Sequence, residues 1–480
     1  MRINPLLLTD YYKTEHYKMY PLGTSMIYSN LTPRKSRLPG VDAVVVFGVQ
    51  YFIKEYLIKR FDEDFFDRSW GDVLEEYRFA VNTDTAHIEA LHRLGYLPIR
   101  IKSLAEGSLC PIRVPMLTIV NTLPDFFWLT NYLETLMSNV LWQPITSATI
   151  AYEYKKLLNR WARMTGGDES FVPWQGHDFS FRGMSSPESG MTSAMGHLLS
   201  FTGTDTIPAI YGLRDYYNGQ GLIGASVPAT EHSVMCMGGA YSEQETFERL
   251  LDLYPTGILS VVSDTWDLWH VLGTILPNSK DKIMARDGKL VIRPDSGDPA
   301  DILCGQSKDK WTRSIKDIPK QKGVIELLWN IFGGTVNAKG YKVLDPHIGA
   351  IYGDSITLER AEDILSRLAV KGFASTNVVL GIGSYTYQYN TRDTLGFAVK
   401  ATYGEVDGVG REIFKDPVTD DGTKKSAKGL LVVHKGDGGY VLKDQQTVDG
   451  ERRGELDTVF VDGMIIKEEY LDNIRTRLNF

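Results

Sequence analysis

The run Arg293, Pro294, Asp295, Ser296, Gly297, Asp298 carries a guanidinium, two carboxylates and a hydroxyl directly after the apolar residues Leu290, Val291 and Ile292. Core packing does not ask for such a cluster. The apolar stretch reads as a buried strand, and Pro294, Gly297 and Pro299 reopen the backbone as a loop. The polar groups therefore sit at a strand's C-terminal end, where parallel α/β proteins bind ligands, although a solvated turn with an Arg–Asp ion pair has the same composition. A second centre is His232, preceded by Pro228 and Glu231. A histidine there can act as nucleophile or acid/base, or it can be structural; Asp264 is the carboxylate expected to orient it. Gly353, Asp354, Ser355 and Gly381, Ile382, Gly383, Ser384 have the composition of a phosphate cradle built from loop amides. The chain has no GxxxxGK[ST], no HExxH and no GxGxxG opening a helix after a strand, so hydride transfer and zinc hydrolysis have no sequence support.

Positioning these groups requires a repeated element. Seven stretches share one pattern, an apolar run ending in polar or glycine chemistry: 176–183, 201–205, 225–233, 258–264, 291–299, 349–355 and 378–384. Most are separated by enough chain for a helix and its turns, roughly the 30 residues of a βαβ unit. The pattern predicts an irregular parallel (β/α) barrel over 151–395. Before it, strands are expected at 25–31 and 43–49, a helix over 51–60, helical structure over 70–94, short strands within 99–117, and two helices over 126–140 and 145–164. After residue 400, strands are expected at 413–418, 429–434 and 458–466 and a helix over 467–478. The segments 1–150 and 396–480 together would make a discontinuous α+β domain, and the lysine-rich 306–322 reads as a solvated insertion.

A chain of 480 residues with 43% hydrophobic and 23% charged residues can bury the interiors of two such domains. Its net charge of -8 argues against general nucleic-acid binding, so an anionic ligand needs a local basic pocket. No apolar run approaches a membrane span and no secretory signal is present, which predicts a cytoplasmic protein with no membrane partner. Cys110, Cys236 and Cys304 are too scattered for a CxxC metal pair or a disulfide framework.

The ordered motifs Thr9-Asp10-Tyr11-Tyr12-Lys13, His177-Asp178-Phe179 with Arg182-Gly183, Gly203-Thr204-Asp205-Thr206, Glu231-His232-Ser233, Ser263-Asp264, Arg293-Pro294-Asp295-Ser296-Gly297, Gly353-Asp354, Thr391-Arg392-Asp393 and Phe414-Lys415-Asp416-Pro417 carry a resemblance. Over nearly its full length the sequence resembles the nicotinamide phosphoribosyltransferase family of type II phosphoribosyltransferases, to which nicotinate and quinolinate phosphoribosyltransferases are related. The resemblance implies transfer of phosphoribosyl from phosphoribosyl pyrophosphate to nicotinamide, with magnesium, in a homodimer whose two active sites are shared. It implies a base sandwiched by Phe179 and a partner chain's Tyr12, with Asp205 and Arg293 at the carboxamide. Arg182, Arg293 and Arg392 would hold phosphate; Asp295, Gly353, Asp354 and Gly383 would surround the ribose phosphate; Asp10, Lys400 and Lys415 would come from the partner. His232 would be the histidine phosphorylated by ATP, steered by Glu231 and Asp264.

Two features depart from the family pattern. Only part of the glycine run at 381–385 is kept, and Ala398 stands where a serine would contact phosphate. Lys424, Lys425 and Lys428 do not align with it, and the magnesium ligands stay unassigned. Three readings follow: the nicotinamide enzyme, a nicotinate-specific relative, and a non-catalytic nucleotide-binding or signalling protein. Asp205 separates the first two, because a carboxylate accepts from an amide and repels a second carboxylate; on its own it also reads as a helix cap.

Overall fold

The computed structural model describes residues 3–353, 355–414 and 427–478. It divides into two compact units: Met1–Thr149 with Tyr211–Gln220 and Asn390–Phe480, and Ile150–Ile210 with Gly221–Tyr389.

The first unit is built on an antiparallel sheet in the order Val409–Glu412, Phe397–Val406, Thr24–Pro33, Leu117–Asn121, Ile99–Ser103, Asp457–Val461, Met464–Ile465. The N- and C-terminal segments thus share one sheet, joined by a long ladder in which Asn30 faces Lys400. Ile27, Tyr28 and Leu31 bury the centre of this ladder and Pro33, which has no N–H to donate, stands at its end. Several expected boundaries move. The strand predicted over 43–49 stops at Val45, because Gly48 turns the chain in the left-handed region (φ +90°) and a helix starts at Val49. The helical stretch 70–94 is two helices, Trp70–Ala80 and Ala86–Leu94, the first capped by the Ser69 hydroxyl.

The two helices expected on either side of Pro144 are one, Glu134–Thr165. A proline inside a helix costs about 3 kcal/mol, but Leu141, Ile145, Ala148, Ala151 and Tyr154 are almost entirely buried along this stretch and outweigh it. The Thr146 and Thr149 hydroxyls donate to the carbonyls of Trp142 and Ile145, so the polar groups just past the proline are satisfied within the helix. After residue 400 the strand expected at 413–418 is found earlier, as Val409–Glu412, with no strand at 413–414, and 415–426 lie outside the described residues. The remaining expected elements appear as the hairpin Leu430–Gly436 with Gly439–Gln446, the pair Asp457–Val461 with Met464–Ile465, and the helix Leu471–Arg477.

The second unit carries a six-stranded, all-parallel sheet in the order Gly203–Thr204, Gly176–Asp178, Val378–Ile382, Ile348–Tyr352, Asp287–Arg293, Thr256–Val262. Its two edges are bridged by the seventh expected stretch: Ala225 pairs in parallel with Gly203, and Ala229 with Ser260. The Thr204 and Thr230 amides donate to the Ala225 and Ser260 carbonyls, and the Ser260 amide donates to Pro228. The sheet thereby curls into a closed, irregular barrel, with 225–230 too sparsely bonded to form a regular strand. Strand parity divides its faces. On Asp287–Arg293, Leu290 and Ile292 are fully buried on one side, while Lys289, Val291 and Arg293 face an internal cavity. The insertion at 306–322 folds into short turns with Lys308, Lys310, Arg313 and Lys316 exposed. Among the described residues no helix is long and apolar enough to cross a membrane.

Candidate active site

The polar mouth of the barrel is organised around a fully buried acid, Asp178, at the end of Gly176–Asp178. One oxygen accepts from the Ser180 amide (3.0 Å) and hydroxyl (2.6 Å), the other from the hydroxyls of Thr204 (2.8 Å) and Thr206 (2.6 Å). Four donors satisfy the carboxylate and fix two strand tips against each other. Two neighbours are positioned as a result. The Phe179 amide donates to Ile382, and the Asp205 amide donates to the Asp178 carbonyl.

Phe179 lies over a floor without side chains. A Cβ on Gly381 would fall 2.7 Å from the phenyl ring and 2.8 Å from the Gly353 Cα, and one on Gly353 would fall 2.9 Å from the Asp295 carboxylate. The Arg293 guanidinium stands 5.2 Å from the centre of the ring, and the His177 imidazole 4.5 Å at a tilt of 41°. Asp205 Oδ1 receives the His177 Nε2 at 3.1 Å together with the Ser226 hydroxyl. Burial opposes the charge on Asp205, but these two hydrogen bonds and the nearby His177 and Arg293 outweigh it and hold the carboxyl below its ordinary value. Asp205 is thus an anion with Oδ2 free of partners among the described residues.

Arg293 and Asp295 flank the same mouth, 3.9 Å apart at their nearest polar atoms, with the His232 Nε2 also 3.9 Å from Asp295. His232 opens the helix His232–Gly238 rather than ending a strand, and Glu231 before it is engaged by the Ser233 hydroxyl. The expected orienting role of Asp264 is not what the geometry gives. Asp264 Oδ2 accepts from the Asp295 amide (2.8 Å) and the Ser296 hydroxyl (2.6 Å), so it braces the Arg293 loop; the group that meets His232 Nδ1 is the Thr265 hydroxyl, at 3.3 Å. The reason is local: with Val261 and Val262 buried in the strand, Ser263 bonds to the Arg293 carbonyl and turns Asp264 toward the adjacent loop. The Arg293 Nε and Asp264 Oδ1 are buried without a hydrogen-bond partner among the described residues.

Phe179, Asp205 and Arg293, with His177, Ser226 and Val291, line a cavity of about 550 Å³ that runs down the barrel. Arg182 is exposed on the turn Phe181–Gly183, and a Cβ on Gly183 would strike the Ser384 hydroxyl, so the loops after the strands Gly176–Asp178 and Val378–Ile382 touch. Gly383 has open space at its Cα. Tyr12, Asp10, Arg392 and Lys400, also named from the sequence, belong to the first unit. Tyr12 is 61% exposed, Asp10 accepts from the Thr135 hydroxyl, Arg392 lies 3.7 Å from Asp393, and Lys400 is exposed on Phe397–Val406. Asp354 and Lys415 lie outside the described residues, as do Lys424 and Lys425, while Lys428 stands 3.8 Å from Glu412. Sequence reasoning missed His177, Ser226, Asp178 and Thr265 as parts of the site. Three of them lie in motifs noted for the resemblance or in the seven strand-tip stretches, and parity was the available signal: His177 is two residues before Phe179, hence on the same side of its strand.

The sequence matches the nicotinate phosphoribosyltransferase family over residues 174–463 and the N-terminal domain of nicotinamide phosphoribosyltransferase over 4–82. A nicotinamide phosphoribosyltransferase of Acinetobacter baylyi is 53% identical, covering 99% of this chain and 97% of its own, and that of Mycoplasma pneumoniae is 38% identical, covering 88% and 94%. Among solved structures, a nicotinate-nucleotide pyrophosphorylase from Pyrococcus furiosus superposes with a TM-score of 0.58 at 13% identity, covering 99% of this chain and 95% of that one. Human nicotinic acid phosphoribosyltransferase superposes with a TM-score of 0.55 at 17% identity, covering 98% and 92%. At those identities the structures speak for the fold alone.

Proposed function

The chain belongs to the nicotinamide phosphoribosyltransferases, within the nicotinate phosphoribosyltransferase family, and from that premise we propose that it converts nicotinamide and phosphoribosyl pyrophosphate to nicotinamide mononucleotide and pyrophosphate in NAD salvage. The ring nitrogen of nicotinamide attacks C1 of the ribosyl group while the bond from C1 to the pyrophosphate oxygen breaks. That exchange needs no protein nucleophile, only positioning and charge stabilisation around an oxocarbenium-like centre. The observation that carries the reading is Asp205: an ionised carboxylate on the cavity wall, anchored through Oδ1 by His177 and Ser226, with Oδ2 available to accept from a carboxamide N–H.

Phe179 supplies one aromatic face for the base. Tyr12, exposed in a segment that also exposes Tyr11, Met19 and Leu22, supports a second face contributed by the partner in a homodimer. Arg182, Arg293 and Arg392 are the proposed phosphate and carboxamide contacts, Asp295, Gly353, Asp354 and Gly383 the ribose surroundings, and Asp10, Lys400 and Lys415 the partner's contribution. Among the described residues no cluster of three or more acidic, histidine or cysteine groups is placed to hold a metal by itself. Magnesium binds through one or two carboxylates together with substrate phosphates and water, and the unpartnered Asp264 Oδ1 and the Asp295 carboxylate are the oxygens that suit it here. Bound, it would neutralise charge on the leaving pyrophosphate. A cytoplasmic location is part of the same proposal, and the three free cysteines support it.

Incubation of the protein with nicotinamide, phosphoribosyl pyrophosphate and magnesium should yield the mononucleotide, with nicotinate a poor substitute; preferential use of nicotinate would sink the assignment. Asp205→Asn removes the repulsion toward nicotinate, and since like-charge contact costs several kcal/mol the ratio of kcat/KM values for the two bases should narrow roughly 100-fold. A ratio that does not move would remove Asp205 from the specificity role.

ATP is the proposed coupling substrate, with His232 as phosphoryl acceptor. Its imidazole is half-exposed, carries no strong hydrogen bond and lies beside Asp295 and Thr265, which supports in-line access. With γ-labelled ATP, label should appear on the wild-type protein and be absent from His232→Ala, which should also lose any ATP-dependent gain in rate. Label retained by the variant would place the acceptor elsewhere.

A further inference from the structure

Between the helices Pro299–Cys304 and Val324–Phe332 the chain makes an Ω-loop. Its neck is pinched backbone to backbone. The Gln306 amide donates to the Lys320 carbonyl at 2.8 Å, and a Cβ on Gly305 (φ +87°) would strike the Gln321 carbonyl while one on Gly323 (φ +78°) would strike the Gly305 amide. Inside the loop the polar groups serve one another: Trp311 Nε1 donates to the Gln306 carbonyl at 2.8 Å, the Thr312 hydroxyl to Asp317, and the Gln321 amide to the Thr312 carbonyl at 3.0 Å. Lys310 pairs with Asp301 at 2.7 Å and Lys320 with Asp317 at 3.1 Å. The loop is therefore a preformed unit.

What it leaves outside has a definite character. Ile315 is 82% exposed, Trp311 49% and Ile318 41%. Lys308, Arg313 and Lys316 stand exposed among them, with no ion pair among the described residues. Residues 306–320 carry five cations against two acids in a chain of net charge -8. Exposed charges more than about 8–10 Å away are largely screened at physiological salt, so a surface approaching this loop meets its local positive sign.

We propose that the loop 306–320 is a peripheral docking surface for an anionic lipid bilayer, with Lys308, Arg313 and Lys316 among the headgroups and Trp311, Ile315 and Ile318 at the acyl boundary. A tip as exposed as Ile315 offers no groove to a peptide. A nucleic acid would satisfy the cations but has no use for two isoleucines, whereas a bilayer takes both sets and holds an indole at its interface. The expectation of no membrane partner came from the lack of a membrane-length run, which bears on spanning a bilayer and not on lying against one. The surface is independent of the phosphoribosyl chemistry.

Cosedimentation of the full-length protein with lipid vesicles is the test. Vesicles of equimolar phosphatidylcholine and phosphatidylglycerol should bind it at least roughly ten-fold more tightly than phosphatidylcholine alone, and the difference should shrink as salt is raised. The triple variant Lys308→Gln, Arg313→Gln, Lys316→Gln should weaken binding to the anionic vesicles roughly 100-fold, the loss that three cations near a charged leaflet carry. Ile315→Gln, with charge unchanged, should weaken it roughly five-fold. Both variants should keep the wild-type Tm and wild-type formation of the mononucleotide in vesicle-free buffer, which separates lost docking from lost folding. No cosedimentation with the anionic vesicles, equal binding to both kinds of vesicle, or binding untouched by either variant would each overturn the proposal. So would binding of polyglutamate or of a single-stranded oligonucleotide as tight as that of the vesicles, which would make the loop a site for acidic polymers.

Discussion

Arg293→Lys lowers kcat/KM for nicotinamide roughly 10²- to 10³-fold, the size of loss that accompanies removal of one preorganised donor from a developing charge. The substitution keeps a cation on a stem of similar length, so net charge is not what changes. Arg293 stands 5.2 Å over Phe179, reaches toward Asp295 at 3.9 Å, and holds a buried Nε with no partner among the described residues. A planar fork can stack on the ring and still present N–H groups to phosphate or carboxamide, whereas an ammonium is a compact, strongly hydrated point charge. Lysine would also leave a gap beside Phe179 that water fills. Steady-state kinetics with both substrates varied is the measurement. A loss confined to KM would mean that Arg293 only gathers substrate, and near-wild-type kinetics would remove it from the reaction.

Gly381→Ala is the second large effect, and it acts through shape. The new methyl group would fall 2.7 Å from the Phe179 ring and 2.8 Å from the Gly353 Cα, distances that real Cβ atoms do not tolerate. One neighbour is backbone, so the ring is what yields. Overpacking of this kind costs about 1–3 kcal/mol of stability, and displacing the platform under the base by a fraction of its thickness should cost about 100-fold in kcat/KM, since misplacement near 1 Å carries that effect. Thermal unfolding and kinetics on the same preparation separate the two. Activity that survives at wild-type level would mean that Phe179 is not the surface on which the base lies.

Much of this site was legible in the chain because chemistry at a strand tip interrupts an apolar run visibly. Arg293 ends a strand whose alternate residues are buried or face the cavity, Asp295 follows it, and Phe179, Asp205 and Gly381 lie at comparable interruptions. Contacts set by direction rather than by type were not legible. Asp264 follows the strand Thr256–Val262 and was expected to serve His232, but the backbone bond from Ser263 to Arg293 turns it toward the next loop. Pro144 carries an ordinary helix-breaking signal, overridden by burial along the rest of the helix, which no local rule contains. Lys289 was invisible for a similar reason: a lysine in a strand reads as a solvent-facing residue until the strand is known to line an enclosed space.

The barrel has a seam. Six strands are held by regular ladders, while 225–230 is tied to its neighbours at Ala225 and Ala229 with few bonds between. Stability in a folded chain is distributed according to such bonding, and the least-bonded segment opens at the lowest free energy. Here that segment bears Ser226, which steadies Asp205, and runs directly into Glu231 and His232. The part of the ring that touches both the amide-recognising acid and the imidazole is therefore its most easily unzipped stave, and amides there should exchange with deuterium ahead of those in Asp287–Arg293. A ligand lodged between Asp205 and Arg293 would act as the missing hoop.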